Sequence, residues 1–200
     1  MFELTKTFKS ELILGLEIRD KVANFAGEKI NSLRINSGYQ DCLNIGVLRT
    51  NAMKSLHNYF GKETVSTATI SVPHIALLLT NHLSIPLQLD KLFFCFADPH
   101  FKKTNHRKRI VNTALLTDYA YMMRPGGKIY VVTDVEDLHN WNVSKLEEHP
   151  MFERVVGEED SSDPCVKTMR EGTDEAKKVI KREGQIWHAV FKKRDVNDAA

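Results

Sequence analysis

The alternation of segment types along this chain predicts an α/β fold with a doubly wound, mostly parallel sheet. Three observations carry that expectation. Apolar runs of strand length recur at residues 12–18, 42–48, 91–96 and 128–133. Stretches with helical spacing of apolar residues separate them, most clearly 20–33 and 104–123. Polar or acidic residues sit at the exits of these runs, where open parallel sheets place their ligands.

The elements follow in chain order. Leu12, Ile13, Leu14, Gly15 and Leu16 form a buried strand that ends in Glu17. Residues 20–33 then place Val22, Phe25, Ile30 and Leu33 on roughly one helix face, and Ser37-Gly38 breaks the pattern. A second strand over 42–48 leads to Thr50-Asn51-Ala52-Met53, and a short helix over 53–60 follows. A third strand over 91–96 runs into Asp98-Pro99-His100. Val111, Leu115, Tyr119 and Met122 draw an apolar stripe along a helix over 104–123, and Pro125-Gly126-Gly127 stops it. A fourth strand over 128–133 ends in Thr133-Asp134, and 139–149 reads as a helix. Segments 152–156 and 186–192 are strands that pair late in the sheet. Between them, Thr173 caps a helix with Asp174 and Glu175 in its first turn and lysines after them, a polarity that suits the helix dipole. Residues 61–86 show no clean period and are a suspiciously long connection.

Composition narrows the function classes. The 200 residues suit one domain, expected over 1–195 with a short tail at 196–200. With 42% hydrophobic and 27% charged residues, the chain has a soluble globular profile. A net charge of +2 excludes a general polycation, so the clustering of cations matters more than their sum. Cys42, Cys95 and Cys165 are odd in number, far apart and free of metal-ligand spacing, which predicts reduced structural thiols and no metal site. No secretory leader is expected. The most apolar stretch, 70–89, holds two histidines, two prolines and an asparagine, so no membrane association is expected.

Four constellations could carry chemistry. Glu17, at a strand end, could accept hydrogen bonds from ribose hydroxyls or simply face solvent. Asn51 could read an adenine edge or start the next helix. Asp98 is the strongest signal, because Pro99 fixes an extended turn and removes a donor, leaving the carboxylate aimed out of regular structure. Directly after it, Lys102, Lys103, His106, Arg107, Lys108 and Arg109 place six cationic or titratable residues in eight positions. Such a run is either a solvated helix face or a phosphate-binding surface. No serine-histidine-aspartate order, phosphate-binding P-loop or glycine-rich dinucleotide fingerprint is present.

Together, Leu12 to Arg19, Leu48 to Lys54, Phe93 to His106, Thr117-Asp118-Tyr119-Ala120-Tyr121, Thr133-Asp134-Val135, Glu147-Glu148-His149-Pro150 and Gly172 to Lys178 resemble the catalytic subunit of eukaryotic tRNA (guanine-N7-)-methyltransferases. That resemblance covers most of the chain and implies a Rossmann-like class I methyltransferase. Such an enzyme transfers the methyl group of S-adenosyl-L-methionine to N7 of a guanosine in the tRNA variable loop. It implies Asp98 as the catalytic acid. Glu17, Ile18, Arg19, Asn51, Ala52, Cys95, Thr173, Asp174 and Glu175 would bind the cofactor, and the six residues of the cationic run would bind tRNA. It further implies a heterodimer with a non-catalytic WD-repeat subunit, and residence in the nucleus, with the cytoplasm as an additional location.

Three departures from the family pattern shape the expectations. The family's first strand and its glycine-rich Asp-x-Gly-x-Gly-x-Gly loop are expected to be missing, because Met1 to Leu4 match the helix that follows that loop. This would weaken cofactor binding and expose the edges of the neighbouring strands. Residues 63–87 read as an insertion without family counterpart. Ala97 stands where the family carries a proline, which would loosen the aim of Asp98. The competing expectation is a truncated, non-catalytic isoform that binds tRNA or the WD-repeat partner without methylating.

Overall fold

The computed structural model describes residues 1–59, 68–72 and 89–195. Helix α1 (Phe2–Thr7) leads into β1 (Leu12–Glu17), whose near-continuous apolar sequence is buried on both faces. Next come α2 (Asp20–Asn36), β2 (Ile45–Arg49), α3 (Ala52–Ser55) and β3 (Ala68–Val72). Then β4 (Leu89–Cys95) precedes a 3-10 helix (Lys103–Lys108), α4 (Thr113–Met122) and β5 (Met123–Thr133). The chain finishes with α5 (Glu136–Glu147), β6 (Phe152–Val155), α6 (Glu158–Ser161), α7 (Pro164–Glu171), α8 (Asp174–Lys181) and β7 (Trp187–Lys193).

These strands form one sheet in the order β2-β1-β3-β4-β5-β7-β6. The first five positions pair in parallel, whereas β7 runs antiparallel to both β5 and β6. The chain steps outward from β1 to β2 and then reverses to fill β3, β4 and β5. That reversal creates the crevice at which open α/β sheets bind ligands. Helix α2 packs on β1 and β2, while α5 packs on β5, β6 and β7. The core centres on β1, β4 and β5, where Phe93 and Tyr130 stack at 4.5 Å with their rings 10° apart.

Two expectations change here. The place between β1 and β4, expected to be open, is taken by β3, which pairs with both neighbours. Neither neighbour therefore presents a free edge along that stretch. A five-residue strand has too little length for a periodic signal, although Thr69, Ile70 and Val72 are residues that strands favour. The rest of the expected 63–87 insertion and the 196–200 tail lie outside the described residues.

The second change concerns the helix expected over 104–123, which is two elements. The cationic residues form the 3-10 helix, the backbone is extended at Arg109 and Asn112, and α4 begins at Thr113 with the Asn112 side chain accepting from the Leu115 amide at 3.1 Å. On α2, Ala23, Ala26 and Ile30 face the core, whereas Phe25 is exposed. Helix α7 was not legible beforehand. It starts at Pro164 and is capped by Asp163, whose carboxylate accepts from the Cys165 amide at 2.9 Å.

Candidate active site

Parallel pairing brings the C-terminal ends of β1, β2, β4 and β5 to one edge of the sheet. Glu17, Asn51, Asp98 and Asp134 arrive there from four separate segments of sequence. Two clefts open at this edge and share Arg19 and Phe96 in their walls. The first, of about 470 Å³, is lined by Glu17, Ile18, Asn51, Ala52, Asp98 and Lys108 among others. The second, of about 540 Å³, is lined by Phe2, Lys29, Cys95, Thr173, Asp174 and Glu175 among others. Both lie within the size range of small-molecule sites.

Glu17 is 2% exposed, and its orientation is fixed from the next residues. Its Oε1 accepts the Arg19 backbone amide at 2.8 Å and Nε at 3.0 Å, and its Oε2 accepts Nη2 at 3.1 Å. This bidentate pair raises the Arg19 pKa above its ordinary value, chiefly through the hydrogen bond to Glu17. The result is a buried carboxylate held in one direction at the rim of a cleft. Asn51 starts α3, its Oδ1 accepting from the Met53 amide at 3.0 Å, so the helix-starting alternative is present in the structure. Asn51 and Ala52 nevertheless line the same cleft as Glu17, and Ile18 stands exposed at its mouth.

The Asp98 turn carries backbone strain. Phe96 and His100 adopt φ of +53° and +45°. For residues other than glycine, such conformations cost on the order of 1–3 kcal/mol each and persist only where surrounding contacts hold them. The Phe96 amide donates to the Val132 carbonyl at 2.8 Å, and the His100 amide donates to the Asp98 carboxylate at 2.9 Å. With a side chain 72% exposed, Asp98 remains open to solvent. The strained turn thus offers an accessible carboxylate next to the Glu17 cleft.

The cationic run divides. Lys102, Lys103, Arg107 and Lys108 are exposed, and Lys108 reaches the wall of the Glu17 cleft. His106 is half-buried, its ring edge-on to Trp141 at 5.3 Å. Arg109 departs from the expectation of a tRNA contact. It is 1% exposed, donating from Nε to the Pro99 carbonyl at 2.8 Å and pairing with Asp137. The 3-10 helix ends just before it and turns its side chain inward. Phe101 was missed by the sequence reading. It stands 74% exposed between His100 and Lys102; a phenylalanine between an acidic turn and a row of cations was a signal available in the sequence, whereas its exposure was not.

Cys95 is buried at the end of β4 and lines the second cleft. Opposite it, Thr173 caps α8, its Oγ1 accepting from the Ala176 amide at 3.1 Å. The turn from α7 into α8 is close-packed, since a Cβ on Gly172 would lie 2.7 Å from the Thr168 carbonyl oxygen. At the far end of α8, Arg182 pairs with Asp134 at the exit of β5. The helix is therefore fastened at both ends, with Asp174 and Glu175 presented to the cleft. Among the described residues, no cluster of histidine, cysteine or carboxylate side chains could hold a metal ion, and no helix is long and apolar enough to cross a membrane.

Comparison with known proteins matches residues 74–189 to a family model described as "Putative methyltransferase". The chain is 44% identical over 196 residues to a tRNA (guanine-N(7)-)-methyltransferase of Yarrowia lipolytica, which covers 96% of this chain and 58% of that protein. A protein of the same name from Kluyveromyces lactis is 45% identical over 195 residues, covering 96% and 60% respectively. One from Arabidopsis thaliana is 42% identical over 193 residues, covering 96% and 67%. The chain spans about three-fifths of the length of the two fungal relatives. With 96% of its length covered by these relatives, the chain belongs to the tRNA (guanine-N(7)-)-methyltransferase family.

Proposed function

We propose that the chain methylates N7 of a guanosine in tRNA, with S-adenosylmethionine supplying the methyl group. One observation carries the reading. A buried, pre-aimed carboxylate, an exposed carboxylate on a strained turn and a cationic surface converge on one sheet edge, although they come from distant parts of the sequence. The residues fit the methyl donor. Glu17 would accept hydrogen bonds from its ribose hydroxyls, and Asn51 and Ala52 would flank its adenine. Cys95 and the start of α8 would border its amino-acid end, with Asp174 and Glu175 facing the ammonium group and Lys29 and Lys178 available to its carboxylate.

Guanine N7 carries a lone pair and needs no deprotonation before attack. The protein's task is alignment, which can supply a large share of the rate enhancement when reacting atoms are held near contact. Asp98 would accept hydrogen bonds from the N1–H and exocyclic amine of guanine and so fix the base edge. Lys102, Lys103, Arg107 and Lys108 would contact phosphates and release counterions. Phe101 presents a π face on which a splayed base can stack, as aromatic side chains do in single-stranded RNA recognition.

The test combines calorimetric binding of S-adenosylmethionine with transfer of a labelled methyl group to tRNA. Binding in the micromolar range, with transfer to guanosine but not to a tRNA carrying 7-deazaguanosine at the target position, is expected. Binding of tRNA without binding of the methyl donor would instead favour a non-catalytic RNA-binding role. The WD-repeat partner and nuclear residence rest on the family resemblance. Co-purification and imaging of the tagged chain test them.

A further inference from the structure

Arg109 belongs to the cationic run in sequence but not in space. Its side chain joins three parts of the molecule. Nε donates to the carbonyl of Pro99, the residue directly after Asp98, at 2.8 Å. Nη2 pairs with Asp137 in the first turn of α5. The guanidinium lies 4.9 Å from the centroid of the Trp141 ring, and Trp141 is itself fixed by donating Nε1 to the Val111 carbonyl at 2.7 Å. The Arg109 backbone carbonyl accepts from the side chain of Asn112, which caps α4.

Burial of this group is a poor source of stability. Its Nη1 has no hydrogen-bond partner among the described residues, and Asp137 is 67% exposed. A buried ion pair with an unmatched donor is weak evidence for a stabilising role. Position is what the arrangement supplies. Pro99 has no amide hydrogen with which to anchor the turn, and His100 beside it holds a strained backbone. The strain at Phe96 is held by a bond to β5. Next to His100, the Arg109 bond to the Pro99 carbonyl ties the turn to α5.

We propose that Arg109 is a positioning residue that aims Asp98 at the substrate by clamping the Pro99 carbonyl to α5. This rests on the reading of Asp98 as the group that orients guanine. It also assigns the cation a different task from its exposed neighbours: Lys108 would act on phosphate, and Arg109 on the backbone of the acidic turn.

The test uses the full chain and two independent readouts. In Arg109→Lys, which keeps the charge but loses the forked geometry, amide exchange in peptides covering 98–101 is expected to accelerate at least tenfold. Peptides from β4 and β5 should stay unchanged. In the same variant, kcat for methyl transfer is expected to fall at least tenfold, while affinities for S-adenosylmethionine and tRNA stay within about threefold and the salt dependence of tRNA binding is preserved. Arg109→Met should be worse on both readouts. Unchanged exchange at 98–101 overturns the inference. So does a shallower salt dependence with a raised KM, which would make Arg109 a phosphate contact. If Arg109→Lys loosens the whole chain, Asp137→Asn decides on the same readouts, because it alters an exposed side chain. A wild-type chain without methyl transfer would overturn the proposed function, and the exchange measurement would still decide the clamp.

Discussion

Replacing Phe101 by alanine separates aromatic from electrostatic recognition of RNA. The ring is 74% exposed, so truncation removes little that the fold uses, and surface changes of this kind usually stay within about 0.5 kcal/mol of wild-type stability. If a splayed base stacks on the ring, the loss is about 1–3 kcal/mol, or roughly 5- to 150-fold in affinity. Because phenylalanine carries no charge, the slope of log affinity against log salt should not change. Lys108→Gln should behave in the opposite way, flattening that slope by about 0.7–0.9 for the one phosphate contact it removes. The assay is fluorescence anisotropy of labelled tRNA with the full chain, at salt concentrations from about 50 to 200 mM. Phe101→Trp should match or exceed wild type. An alanine variant within twofold of wild type at every salt concentration would refute the stacking role.

Four further outcomes follow from the geometry. Glu17→Gln should weaken S-adenosylmethionine binding by about 10- to 150-fold, because hydrogen bonds to a charged acceptor contribute roughly 1.5–3 kcal/mol; calorimetry checks this. Asp98→Ala should abolish methyl transfer while leaving tRNA affinity within a few fold, and near-normal turnover in that variant would remove Asp98 from the reaction. Asp163→Ala should cost about 2–4 kcal/mol in denaturant unfolding, since its carboxylate caps α7 and accepts from Tyr130 at 2.9 Å and Lys128 at 3.2 Å. Burial lowers the pKa of His149 below its ordinary value of 6.5. The unfolded chain therefore binds the proton first, and stability should fall as pH drops through about 6.5 and below. His149→Gln should remove part of that fall in melting temperatures measured across the range.

Much of the fold was legible because its signals are local. Apolar runs of strand length and the Thr173 cap with its acidic first turn depend on neighbours within a few residues, and β1, β2, β4, β5 and α8 form on them, whereas the helical spacing over 104–123 spans two elements. The family blocks likewise pointed to Glu17, Asn51 and Asp98, which the structure gathers around one cleft. The boundary between the 3-10 helix and α4 was not legible, because cationic residues suit either conformation and only the inward turn at Arg109 separates them.

Sequence alone determined the alternation of strands and helices, the acidic turn at Asp98 and the density of charge after it, because composition and spacing along the chain suffice for these. Tertiary structure decided the rest. It set β3 between β1 and β4, left Phe101 in solvent and drew Arg109 out of the cationic surface. The physical reason is range: a parallel strand's partners, and the carbonyl that a buried guanidinium meets, are set by pairing and packing between segments far apart in the chain.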